Sequence, residues 1–197
     1  MPCWRKGGNR CFALQGDNTY HTILGRSPCH AVHPSDPAVA LLALDAGVML
    51  VRPDASRQMP LHDFYRLPDR ESRQDNVLAA NELITEIVVP LQPAGARSTY
   101  VKVAERSSWD FALVSVAVVL VMDGDRVQNA RVALGGVAPV PWRAEAAERT
   151  LVGQPLSDAV IDAVAQAATE GARQMSQNGY KIDLVQGAVR EALRRLA

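Results

Sequence analysis

Residues Ala112 to Met122 read Ala-Leu-Val-Ser-Val-Ala-Val-Val-Leu-Val-Met. So long an apolar, β-branched run predicts a buried strand, and it is too short for a membrane-spanning helix. Asp123-Gly124-Asp125 follows as a hairpin turn. Val127 to Leu134 returns antiparallel, with Val127, Ala130, Val132 and Leu134 as its apolar residues, and Gly135-Gly136 closes the unit. A helix is expected over 143–151. A second is capped by Ser157 and carries the stripe Val160, Ile161, Val164, Ala167 and Ala168. The last helix presents Ile182, Val185, Ala188, Val189, Ala192, Leu193 and Leu196 on one face. An antiparallel sheet covered by helices follows, an α+β arrangement.

Upstream the pattern changes. Residues 1–35 are loop-rich. Asp36 then reads as the N-cap of a short helix over 37–46, with Pro37 at its first position and Gly47 as its stop. Val48-Met49-Leu50-Val51 is a strand, Met59-Pro60-Leu61 an extended piece and 62–65 a helical turn. The polar stretch 67–80 reads as a surface loop or boundary. Strands are expected over 84–90, ended by Pro90, and over 98–103. Two parts result, 1–78 and 79–197.

Lys+Arg and Asp+Glu balance at 21 each, which argues against a nucleic-acid partner. No apolar run is long enough to insert in a membrane, and the charged N-terminus is followed by no signal-peptide core. The cytoplasm is the expected compartment, with the periplasm as the alternative for a subunit exported alongside a partner. All three cysteines, Cys3, Cys11 and Cys29, fall in the polar first segment. Thiols gathered there point to a metal or cluster site, with free loop thiols as the plain alternative. A zinc site completed by His30 or His33 is the chemical runner-up, although the spacing lacks the short Cys-x2-Cys knuckle. No paired carboxylates and no Ser/His/Asp set stand out.

Several segments occur in an order that resembles a known family. They are Asp36 with its helix, Asn81-Glu82-Leu83-Ile84-Thr85-Glu86, Tyr100-Val101-Lys102-Val103 and Asp110-Phe111-Ala112-Leu113-Val114-Ser115. The series continues with Ala133 to Arg143 and with Asn178-Gly179-Tyr180-Lys181. The chain resembles the FAD-binding (medium) subunit of molybdenum hydroxylases, the group of xanthine dehydrogenases, aldehyde oxidoreductases and carbon monoxide dehydrogenases. The resemblance implies the end of an FAD-binding PCMH-type domain in 1–78, bearing the cysteine-rich loop. It implies a C-terminal domain like that of the CO dehydrogenase flavoprotein in 79–197. It also implies an electron-transfer subunit working beside a molybdopterin-binding large subunit and a [2Fe–2S] small subunit.

Residues 6–14 and 20–29 resemble the branch whose flavin subunit carries an inserted [4Fe–4S] loop. Cys3, Cys11 and Cys29 would be three of its ligands, with the fourth expected upstream of Met1, so the chain reads as truncated. By the same resemblance Asp36, Ile84 and Lys102 contact FAD, Lys102 near the ring, where a cation tunes the potential. Trp109 and Phe111 are expected near the ring as well. Each residue has a plainer reading: helix cap for Asp36, core for Ile84, solvated surface for Lys102, packing for the two aromatics. No glycine-rich loop for the diphosphate is present in the sequence. The alternatives to an electron relay are a truncated non-catalytic fragment and a zinc- or cluster-binding structural module of a larger assembly.

Overall fold

A computed structural model of the chain describes residues 2–197. Its centre is a four-stranded antiparallel sheet in the order β4 (Arg97–Val103), β5 (Val114–Asp123), β6 (Arg126–Gly135) and β7 (Trp142–Arg143). The apolar run of β5 is explained by burial on both faces. Val114, Val116, Val118 and Leu120 face one way, toward α3 (Glu145–Leu151), α4 (Asp158–Ala167) and α5 (Tyr180–Arg194). Ala117 and Val119 face the other way, where Ala133 of β6 joins them against Val39, Leu42 and Ala43 of α1 (Asp36–Ala43). Val164, Val185, Val189 and Leu193 are fully buried on the helical side, so the stripes read from the sequence do face the sheet.

Beyond α1 lies a second, three-stranded sheet in the order β2 (Ala55–Pro60), β1 (Gly47–Arg52), β3 (Leu83–Val88). Val48 and Leu50 of β1 pack into the same cluster as α1, and α2 (Leu61–Phe64) adds Leu61 and Phe64. β3, expected at the head of the second part, hydrogen-bonds antiparallel to β1. Every residue of β3 is exposed, including Leu83, Ile84, Ile87 and Val88. β2 was read only at its end, because its polar, exposed residues give no alternation.

Helix α1 differs from expectation at both ends. Its N-cap is Ser35, whose hydroxyl accepts from the Ala38 N–H at 3.3 Å, so Asp36 is the first helical residue. Its C-terminal side closes at Leu44 and a left-handed Asp45 (φ 60°), ahead of Gly47. The N-terminal segment is tied to the C-terminal half. The Ile23 and Leu24 N–H groups both donate to the Val137 carbonyl, His33 N–H to Ala138 O, and Arg173 N–H to Ile23 O. Ile23 and Leu24 are buried in the helix-side core. Among the described residues no helix is long and apolar enough to cross a membrane.

Glu82 pins the turn before β3 to the edge strand β2. Its carboxylate accepts two bonds from the Arg57 guanidinium, at 2.8 and 2.9 Å, and one from the Ala79 N–H. The Arg57 bonds, then the Ala79 N–H, lower its pKa from 4.5 to about 2. A lowered carboxylate pKa means the unfolded chain binds more protons in this window. The stabilisation is complete above pH 4.5 and lost as pH falls toward 2. Urea unfolding midpoints of wild type and Glu82→Gln should therefore differ at neutral pH and converge in acid.

Candidate functional site

The register of β4, β5 and β6 brings one polar group to the N-terminal end of α1. Lys102 pairs with Ser115, Tyr100 with Ala117, and Ser115 with Gly135. Paired residues point to the same side of a sheet, so Tyr100, Lys102 and Ser115 lie on the face that α1 covers. Asp36 opens the first turn of that helix, where its negative charge suits the helix dipole. The Lys102 ammonium donates to Asp36 Oδ2 at 2.6 Å and to the Asp110 carbonyl at 2.6 Å. Both side chains of the ion pair are about one-third exposed (31% and 38%). A pair this open to water contributes little to stability, which leaves both charges available to a ligand.

Beneath the pair, two hydroxyls are buried, Tyr100 Oη and Ser115 Oγ; neither makes a hydrogen bond of good geometry, although the Tyr100 hydroxyl lies near both Ser115 and Asp36. Ser115 is fully buried. Burial, with the Asp36 carboxylate adding, pushes the Tyr100 phenol well above its usual range, so it stays protonated. The floor beside them is free of side chains by necessity. A Cβ on Gly135 would collide with Ser115 Oγ and lie 2.7 Å from Val39 Cγ2. Gly136 (φ +72°) would meet the Leu113 and Ala112 carbonyls at 2.6 and 2.8 Å. A cavity of about 20 Å³ remains between His33, Asp36, Phe111, Ser115 and these glycines, room for one water-sized group.

The loop after β4 borders the site. The Arg106 N–H donates to Asp110 Oδ2, and its guanidinium to the Trp109 carbonyl at 2.7 Å. Trp109 is held in the left-handed region (φ 53°) and is 96% exposed. Such a conformation is strained for a bulky residue. Phe111 is 70% exposed. Neither aromatic is used for packing.

Of the residues singled out in the sequence, Asp36 and Lys102 are brought together. Ile84 stands apart, on β3 of the other sheet opposite Leu50, and is 46% exposed rather than core. Cys3 and Cys11 precede short 3-10 turns over 4–6 and 12–14, and Cys29 is buried. The Trp4 N–H to Arg10 O bond closes the loop between the first two cysteines. The Arg5 guanidinium lies 4.0 Å from Cys29 Sγ and pairs with Asp75 at 2.8 Å. His33, then Arg5, hold the Asp75 carboxyl well below the usual range. All three thiols are free. Among the described residues no three or more His, Cys, Asp or Glu side chains are gathered as a metal-ligand set. The sequence reading missed Tyr100, Ser115 and Gly135 as parts of the site. The signal was the serine that interrupts the apolar run of β5.

A larger cleft of about 1280 Å³ opens between the end of α1 and α3, lined by Arg131, Trp142, Arg143 and Glu148 among others. Its guanidiniums are already engaged. Arg143 pairs with Glu148 at 2.6 Å, and Arg131 donates to the Ala43 carbonyl and Gln92 Oε1.

The chain matches two protein families. Residues 7–92 match the FAD binding domain in molybdopterin dehydrogenase, and residues 98–196 the CO dehydrogenase flavoprotein C-terminal domain. Among similar curated proteins is the aldehyde oxidoreductase FAD-binding subunit PaoB of Escherichia coli (strain K12). It is 43% identical over 77% of this chain and 47% of its own length. The glyceraldehyde dehydrogenase medium chain of Sulfolobus acidocaldarius is 32% identical over 72% of this chain and 48% of its own. Among solved structures, carbon monoxide dehydrogenase from Hydrogenophaga pseudoflava superposes with a TM-score of 0.73 at 30% identity. That match covers 82% of this chain and 55% of the other. The chain spans about half the length of the curated relatives it matches.

The floor of the site gives a direct test. Gly135→Ala should destabilise the fold by roughly 1–3 kcal/mol, the usual cost of overpacking, because the buried Val39 must give way. Urea unfolding measures it, and unchanged far-ultraviolet circular dichroism confirms that the fold persists.

Proposed function

The chain belongs to the FAD-binding, medium-subunit family of molybdopterin-dependent dehydrogenases, and from that membership we propose that it is the flavin-carrying electron relay of such a complex. In this reading a molybdopterin-binding large subunit oxidises the substrate and a [2Fe–2S] small subunit passes the electrons on. The observation that carries it is the group at the N-terminal end of α1. A half-open Lys102–Asp36 pair lies over two buried hydroxyls, Tyr100 and Ser115, and a floor that excludes Cβ atoms. Poorly satisfied hydroxyls beside a half-exposed cation fit the polar edge of a planar heterocycle. FAD, when bound, supplies the chemistry that accepts electrons and hands them to an acceptor.

This chain's residues position the ring edge and set its electrostatics. Lys102 presents a positive charge, which favours a reduced ring carrying negative charge. Asp36 orients that ammonium. Tyr100, kept protonated by burial, and Ser115 offer hydroxyl hydrogens. Ile84 is proposed as an apolar contact, supported by its exposure on β3. The diphosphate is proposed to be met outside these 197 residues, since they contain no glycine-rich loop.

We also propose that Cys3, Cys11 and Cys29 bind a [4Fe–4S] cluster, with the fourth ligand supplied from outside this set. A backbone bond from Trp4 to Arg10 closes the loop between Cys3 and Cys11, and Arg5, within that loop, reaches Cys29, which supports this reading. Among the described residues the ligand set is not assembled.

Two measurements test these readings on chain co-expressed with its large and small subunits and purified without oxygen. Lys102→Met should lower flavin per chain several-fold; undiminished flavin would remove Lys102 from the site. Cys11→Ser should lower the chain's own iron content, measured after separation from the partners, and an unchanged content would reject the cluster.

A further inference from the structure

Lys181 is a lysine on a helix that is 1% exposed. Its ammonium donates to three main-chain carbonyls: Gly136 O at 2.7 Å, Tyr20 O at 2.9 Å and His21 O at 3.3 Å. Burial, which no carboxylate offsets, lowers its pKa from 10.5 to about 8. Taking an ammonium out of water is costly unless its donors are met, and here three carbonyls meet them. Here it fills a cage of carbonyl dipoles, as a bound monovalent cation would, and joins two distant stretches of backbone.

Its neighbours in sequence act on the same strand of chain. The Asn178 side-chain amide donates to His21 O at 3.2 Å and Thr22 O at 3.0 Å, and its Oδ1 accepts from Met175 N–H. The Tyr180 hydroxyl donates to Thr19 O at 3.1 Å. Asn18 answers from the other side: its Oδ1 accepts from Gln177 N–H, while its own N–H donates to Gln177 Oε1. Asn18, Asn178 and Lys181 are all at most 1% exposed. Four consecutive carbonyls, Thr19 to Thr22, are thus held by three side chains at the start of α5. The Thr22 N–H donates to the His30 carbonyl at 3.0 Å, which closes a loop over 22–30 with the buried Cys29 beside the closing bond.

We infer that Lys181 and Asn178 are positioning residues for the cysteine-bearing segment, with the Lys181 ammonium acting as a tethered cation in a carbonyl cage that fixes the base of the Cys29 loop. The inference rests on the fold and stands whether or not a flavin or a cluster binds. It makes the start of α5, together with the Val137–Ala138 turn, one of the elements that set where Cys29 lies relative to the central sheet.

The test reads the rate at which a thiol reagent modifies Cys29, resolved from Cys3 and Cys11 by peptide mass spectrometry, in the full chain under native conditions. Lys181→Ala should raise the Cys29 rate about ten-fold by local opening. Added n-propylammonium, a cation with N–H donors, should restore most of the protection. Tetramethylammonium at the same ionic strength, which has no donor, should not. Val164→Ala, a core change distant from the loop, controls for general loosening. An unchanged Cys29 rate in Lys181→Ala would overturn the inference, as would equal effects of the two ammonium salts or an equal rise in Val164→Ala. Should Lys181→Ala fail to fold, Asn178→Ala retains the cation and should still raise the Cys29 rate; no rise there would overturn the inference equally.

Discussion

The structure depends on β5 being buried on both faces. Four of its side chains join the helices α3 to α5, and the alternate ones meet α1. A strand in that position has no solvent face to absorb a register slip, since a shift of one residue exchanges the two sets of side chains. The valines of one face and the smaller Ala117 and Ser115 of the other are therefore fixed in place. Everything at the candidate site inherits that register. Lys102 lies opposite Ser115, and Ser115 opposite Gly135, because the ladder allows nothing else.

The same constraint explains why polar groups gather beneath α1. The helix needs close approach to the sheet, which small residues on that face provide. A serine there gives room but brings a hydroxyl that the packing does not satisfy. A buried hydroxyl without a well-formed bond is costly, and the Tyr100 hydroxyl is the polar group closest at hand. Lys102 divides its donors between the Asp36 carboxylate and the Asp110 carbonyl, linking the helix terminus to the loop that follows β4.

Much of this was legible in the sequence, and the failures have physical reasons. The β5–β6 hairpin and the stripes of α4 and α5 follow from hydrophobic period, because those elements bury a defined face. β7 is two residues long and has no period to read, and β2 is a polar edge strand with every alternation signal removed. Ser35 took the cap expected of Asp36; the two adjacent residues are equally good cap formers, and only geometry separates them. Strand β3 was placed correctly along the chain, but its pairing partner depends on long-range topology. Asp36 and Lys102 were named by resemblance, and they meet. Tyr100, Ser115 and Lys181 read as ordinary residues of a strand and a helix, and their roles come from burial that no local pattern encodes.

The loop after β4 carries one more consequence. Trp109 sits in a backbone conformation it would not choose, held there by Arg106, with Asp110 next to it braced by Lys102. Its indole stands almost wholly in water, while Trp4 and Trp142 are partly covered. A solvated indole emits at the red end of the tryptophan range and is open to collisional quenchers. The protein thus carries its own optical gauge beside the ammonium of Lys102. Asp110, the main-chain neighbour of Trp109, is the group that Lys102 grips, so the indole is fastened to the same short stretch of backbone as the ion pair.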